Sequence, residues 1–139
     1  MKITIINGAN LNLLGKREPE FYGNIAFEKY FEEIKKRFSE IELQYFQSNI
    51  EGEIVNFIQQ AGENSDGIIL NAGGYSHTSI VIADAVKAVS KPCIEIHISN
   101  IFNREQERHN SLISKYSTGV IVGLGLEGYK LAVEFLIKN

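Results

Sequence analysis

The sequence predicts an α/β fold with a parallel five-stranded sheet covered by helices on both faces. Two observations carry this prediction. Short apolar runs of strand length alternate along the chain with longer segments whose apolar residues recur at helical spacing, and that alternation calls for right-handed crossovers between parallel strands. The length of 139 residues, with 44% hydrophobic and 22% charged residues, is that of one globular domain covering 1–139.

Each element has its own signal. KITIIN (2 to 7) is an apolar run ended by Asn7-Gly8, and after a long loop the segment Ile25 to Ser39 places Phe27, Tyr30, Phe31, Ile34 and Phe38 on one helical face. IELQYFQ (41 to 47) reads as the second strand. Ser48 with Glu51 forms a capping box that opens a helix striped by Ile54, Phe57, Ile58 and Ala61. GIILN (67 to 71) is a buried strand, AGGYS a turn, and residues 78 to 89 a helix. PCIEIH (92 to 97) is the fourth strand, started by Pro92; a charged loop from 98 to 117 follows, then TGVIVG (118 to 123) as the fifth strand and LEGYKLAVEFLIKN as the closing helix.

Composition excludes several classes. No run approaches the ~18 apolar residues of a membrane span, and the N-terminus lacks a long apolar leader segment, so a cytoplasmic protein without membrane association is expected. The net charge of -3 argues against nucleic acid, whose phosphates call for a basic face. A single cysteine, Cys93, excludes an internal disulfide, and the three histidines lack metal-ligand spacing, so no metal site is assigned.

In sheets of this kind ligands bind beyond the carboxyl ends of the strands. The first strand delivers Asn7 and Asn10 and then the loop LGKREPEFYG with Arg17 and Tyr22. The third delivers Asn71, Gly73, Gly74 and His77. The fourth delivers Glu95, His97 and Ser99, followed by a loop carrying Arg104 and Arg108. Period-2 alternation in PCIEIH puts Cys93, Glu95 and His97 on one face of the strand and Ile94, Ile96 and Ile98 on the other. A carboxylate two residues from an imidazole on a buried strand is costly unless paired. Glu95 therefore either orients His97 as an acid or base, or forms a structural polar pair with it. His77 faces a ligand or caps a helix. Cys93 lies deeper in the strand and is read as a small buried residue, and His109 as a solvated one. Gly123, Gly125 and Gly128 spell the dinucleotide fingerprint, but only 11 residues follow Gly128, which leaves no room for an acidic ribose ligand ~20 positions on. A tight turn with close helix–strand packing is the expected role of these glycines.

NGANLNLLGKREPEFYG, ILNAGGYSHTS, IEIHISN with Arg104 and Arg108 downstream, and TGVIVGLGLEGY, in that order and spacing, resemble the type II 3-dehydroquinate dehydratases over nearly the whole chain. The resemblance implies a flavodoxin-like three-layer sandwich that dehydrates 3-dehydroquinate without cofactor or metal, as a homododecamer built from trimers. It further implies Tyr22 as general base activated by Arg17, His97 as general acid with Glu95 beside it, and Asn10 stabilising an enolate by way of a water. Asn71, His77, Ile98, Ser99 and Arg108 match substrate-binding positions, and Asp84 an acid that reaches a neighbouring subunit's site. Ala9 departs from a common proline and Glu107 from an expected phenylalanine. The competing readings are a flavodoxin-like binding module, a receiver domain, which would need acidic residues where Asn7-Gly8 stand, and an imine-forming dehydratase on a barrel of ~250 residues.

Overall fold

The computed structural model describes residues 1–16 and 25–139, so Arg17 and Tyr22 lie outside the described residues. In chain order the elements are β1 (Lys2–Asn7), α1 (Phe27–Arg37), β2 (Glu42–Gln47), α2 (Glu51–Asn64), β3 (Gly67–Asn71), α3 (Ile80–Ala88), β4 (Cys93–His97), β5 (Gly119–Val122) and α4 (Glu127–Lys138). The strands pair in the order β2-β1-β3-β4-β5, every pair parallel, with Asn7 level with both Gln47 and Asn71. This is the flavodoxin-like doubly wound order, and its topological switch point lies between β1 and β3.

Alternation along the strands builds two cores. Ile3 and Ile5 of β1, Ile69 of β3, and Ile94 and Ile96 of β4 pack with Phe27, Phe31 and Ile34 of α1 and with Tyr129, Ala132, Val133 and Leu136 of α4. Ile6, Ile68, Leu70 and Cys93 pack on the other side with Ile54, Ile58 and Ala61 of α2 and Ile82, Ala85 and Val86 of α3. The six strand residues Ile3, Ile5, Ile6, Ile68, Ile69 and Leu70 are each 0% exposed, and each contributes roughly 1.5–3 kcal/mol by leaving water. Buried polar groups on these strands are few, and Asn7, Asn71 and His97 stand at the strand ends.

The element limits differ from the sequence expectation mainly at helix ends. α1 spans Phe27–Arg37 rather than Ile25 to Ser39, because Ile25 is exposed; its last turn carries Lys35, Lys36 and Arg37, where cations suit the helix dipole. The capping box opening α2 is corrected. Ser48 Oγ accepts the Ile50 N–H at 3.0 Å but donates to Glu53, not Glu51, at 3.1 Å, and Ile50 is the N-cap residue. The loop from 98 to 117 holds three short 3-10 turns, Ile101–Asn103, Gln106–Arg108 and Ser114–Tyr116, and the AGGYS turn is part of another, Gly73–His77.

The glycine fingerprint closes a turn, as expected. Gly123 and Gly125 have φ of 84° and 61°, and their N–H groups donate to the carbonyls of His97 and Ile98, each at 3.0 Å. The turn after β5 is thereby pinned to the end of β4, beside the candidate site.

Candidate active site

The site lies at the carboxyl ends of β1, β3 and β4, around the switch point. Gly8 makes the first approach possible: its N–H donates to Asn71 O at 2.7 Å, and a Cβ there would stand 2.4 Å from Ala72 O. A side chain at position 8 would separate the two loops. Asn10 follows in the left-handed region, φ 69°, its N–H held by Asn49 Oδ1 at 2.9 Å, and it opens the 3-10 turn Leu11–Leu13.

Between these loops and the arginine-bearing loop lies a cleft of about 660 Å³ including its open mouth. Asn10, Asn71, His77, His97, Ile98, Ser99 and Arg108 line it, so seven of the residues predicted from sequence come together in one place. Leu11, Leu13, Leu14 and Ile101 supply its apolar part. Asp84 does not join them; it is exposed on α3, beside Ile80 and Val81, which are 67% and 53% exposed.

Glu95 and His97 share one face of β4, as period-2 alternation requires, and Glu95 is 0% exposed. His97 Nε2 stands 2.6 Å from Glu95 Oε1, and the carboxylate also accepts from Ser111 Oγ and Ser114 Oγ, each at 2.5 Å. Burial pushes the Glu95 carboxyl up, but the His97, Ser111 and Ser114 donors outweigh it and hold the group below the usual carboxylate range. An ionised carboxylate only accepts hydrogen bonds, so His97 Nε2 carries the proton of their bond, and Nδ1 is left to exchange a proton with a bound molecule.

The remaining wall groups are fixed in turn. His77 Nδ1 donates to Asn110 O at 2.8 Å, and burial lowers its pKa, so the ring is neutral at neutral pH. Its ring centroid is 5.8 Å from that of His97. Asn71 Nδ2 donates to Tyr129 Oη at 2.9 Å while Tyr129 Oη donates to Asn7 Oδ1 at 2.7 Å, and Asn71 Oδ1 accepts the Gly73 N–H at 3.1 Å. Arg104 Nη1 donates to Ser99 Oγ at 3.4 Å, and Arg108 is ion-paired with Glu105, which also lies 3.9 Å from Arg104 Nε. Glu107, where the resemblance leads one to expect phenylalanine, is exposed.

Two readings of single residues are decided here. Cys93 is buried and its thiol is pushed up to about 12, chiefly by burial and then by the charge of Glu95, which leaves no thiolate for nucleophilic work at neutral pH. His109 is exposed, yet its Nε2 donates to Arg104 O at 2.9 Å and its ring lies 6.0 Å from that of Phe102, so it ties the arginine loop together. Among the described residues no group of three or more His, Cys, Asp or Glu side chains could hold a metal ion, and no helix is long and apolar enough to cross a membrane.

Sequence reasoning missed three contributors: Ser111 and Ser114 as partners of Glu95, and Tyr129 as the tether of Asn71. A signal existed for the serines, because a fully buried carboxylate demands more donors than one imidazole can supply.

The profile of the family described as Dehydroquinase class II matches residues 1–137. The chain belongs to that family. The 3-dehydroquinate dehydratase of Fusobacterium nucleatum subsp. nucleatum is 52% identical to it over 143 aligned positions, covering 99% of this chain and 97% of that protein. Among solved structures, the type II dehydroquinase from Butyrivibrio crossotus superposes with a TM-score of 0.95 at 45% identity, and that from Propionibacterium acnes with a TM-score of 0.95 at 38% identity; each match covers 99% of this chain and 97% of the other. The fold of these two structures is thus shared over 99% of the chain.

Proposed function

We propose that this chain, as a single catalytic domain over 1–139, is a 3-dehydroquinate dehydratase that removes water from 3-dehydroquinate to give 3-dehydroshikimate without cofactor or metal. In this reading it acts in the cytoplasm, in the shikimate pathway of aromatic amino-acid biosynthesis. The observation that carries the proposal is the His97–Glu95 pair opening onto a cleft lined by Arg104 and Arg108, in a chain 52% identical to a protein named for this activity.

Loss of water beta to a ketone needs a base for the alpha proton, dipoles for the enolate and an acid for the departing hydroxyl. Tyr22 is assigned the first role. An unperturbed phenol, with pKa ~10, is a poor base at neutral pH, and Arg17 is assigned the role of the guanidinium that would favour the phenolate. Asn10, at the mouth of the cleft, stabilises the enolate by way of a water. His97 delivers the proton to the leaving oxygen from Nδ1, its other nitrogen being committed to Glu95. Arg108, Asn71, His77 and the backbone at Ile98 and Ser99 hold the substrate, whose carboxylate suits a cleft with two arginines on an otherwise acidic protein.

The direct test is growth of enone absorbance when purified protein meets 3-dehydroquinate in the presence of excess chelator. Steady turnover is expected, and its absence in a folded sample would remove the proposal.

Assembly belongs to the same reading. Ile80 and Val81 stand exposed beside Asp84 on α3, so this face suits a contact between subunits through which Asp84 reaches a neighbouring site within a homododecamer of trimers. Light scattering should give a dodecamer, and a monodisperse monomer at working concentration would contradict it.

A further inference from the structure

Glu95 is the one buried carboxylate among the described residues. It sits at 0% exposure on the central part of β4, facing the core side that contains Cys93, Ile68 and Leu70, and a buried carboxylate is tolerated only when its charge is satisfied by donors. His97 supplies one such donor. The other two come from the loop before β5. Ser111 Oγ reaches Oε1 and Ser114 Oγ reaches Oε2, each at 2.5 Å, so both carboxylate oxygens are engaged.

The serines are themselves fixed. Leu112 N–H donates to Ser76 O at 2.8 Å, which ties the loop to the turn carrying His77, and Ile113 is 0% exposed in the core shared with α2 and α3. Ser111 Oγ accepts the Ile113 N–H at 3.3 Å. Its single proton points to Glu95 rather than to Ser76 O, which is 3.4 Å away. Ser114 begins the 3-10 turn Ser114–Tyr116. Both hydroxyls are thus held by backbone that is anchored independently of Glu95.

We infer that Ser111 and Ser114 are positioning residues of the proposed dehydration: they keep Glu95 a carboxylate aligned on His97 Nε2, and so keep a counter-charge beside the imidazolium whose Nδ1 proton is transferred. The inference rests on the dehydratase reading for its chemistry but not for its geometry. Glu95 and His97 share the proton of their bond, and two hydroxyl donors on the carboxylate bias that proton towards His97. Without them His97 alone opposes the effect of burial on Glu95, the carboxyl competes more strongly for the proton, and the counter-charge of the imidazolium weakens. Among the described residues, the titratable and charged groups near the pair are Cys93 on the same strand, His77 from the turn after β3, and Arg104 and Arg108 lining the same cleft. None of them replaces a negative charge at Nε2.

The test compares the whole protein with its Ser111→Ala, Ser114→Ala and doubly substituted forms, and with Ser111→Thr and Ser114→Thr. It reads kcat and KM for 3-dehydroquinate against pH, and the titration of the His97 ring by nitrogen-15 NMR without substrate. The double alanine form should lose about tenfold or more in kcat, the scale of a lost hydrogen bond to a charged group, with KM little changed. Its alkaline limb and its His97 titration should both move to lower pH. Each single alanine form should show a smaller shift in the same direction, and the threonine forms, which keep the hydroxyl, should stay closer to the parent. A fall in kcat with an unshifted pH profile and an unshifted His97 titration would overturn the inference, as would threonine forms damaged as much as the alanine ones. If the parent protein shows no turnover, the dehydratase reading fails and the NMR titration alone decides the role of the serines.

Discussion

Tyr22→Phe is expected to lower turnover of 3-dehydroquinate by at least ~100-fold, the scale of a lost general base, while the protein remains folded. Phenylalanine keeps the ring and removes only the oxygen that would accept the alpha proton. The substrate would still meet Arg108, Asn71, His77 and the backbone at Ile98 and Ser99, so binding should survive better than turnover, and KM should change far less than kcat. Steady-state kinetics against circular dichroism of the same sample separates the two effects. Near-normal turnover by a folded Tyr22→Phe protein would refute the assignment and leave His97 as the candidate base.

His97→Ala is expected to cost a comparable ~10²–10⁴-fold in turnover, because the leaving hydroxyl then has no protein acid. It should also destabilise the fold, unlike Tyr22→Phe. Glu95 would lose one of its three donors while remaining fully buried, a change worth about 1–3 kcal/mol for an unsatisfied buried group and more for a charged one. The pH dependence has a definite sign. The carboxyl of Glu95 is held below its ordinary range in the folded protein, so it contributes stability that is present above that range and is lost as pH falls through the folded value. Removal of His97 weakens the hold and should carry that loss to higher pH. Urea unfolding between mildly acid and neutral pH would register it, and identical profiles for parent and variant would contradict the account of the pair.

Much of this was legible in the sequence, for reasons that particular residues make plain. Strands such as KITIIN and GIILN are short, apolar and bounded by turn residues, so their limits agree with the structure to the residue. Cys93, Glu95 and His97 fall on one face of β4 because the pleat alternates side chains and the register with β5 runs on without a bulge. The capping residue of α2 was harder to read. Ser48 is followed by acids at both Glu51 and Glu53, and which one it meets depends on where Ile50 leaves the extended conformation. Ser111 and Ser114 gave no periodic signal, since short polar residues in a loop read as turn formers until the buried carboxylate they serve is located in space. Tyr129 was similarly masked, because an aromatic at core spacing in α4 says nothing about where its hydroxyl will point. Asp84 is exposed on α3 and does not line the cleft, so its reading depends on assembly.

Proton exchange at the alpha carbon tests the central proposal most directly, because it separates the two proton transfers assigned to Tyr22 and His97. Each variant would be incubated with 3-dehydroquinate in heavy water, and deuterium at the alpha carbon of recovered substrate followed by NMR alongside enone formation. His97→Ala should still wash deuterium into the substrate, since Tyr22 and Arg17 remain, while forming little product; Tyr22→Phe should do neither. Rapid exchange by Tyr22→Phe, or its loss in a folded His97→Ala protein that retains Tyr22, would contradict the assignment of base and acid to these two residues.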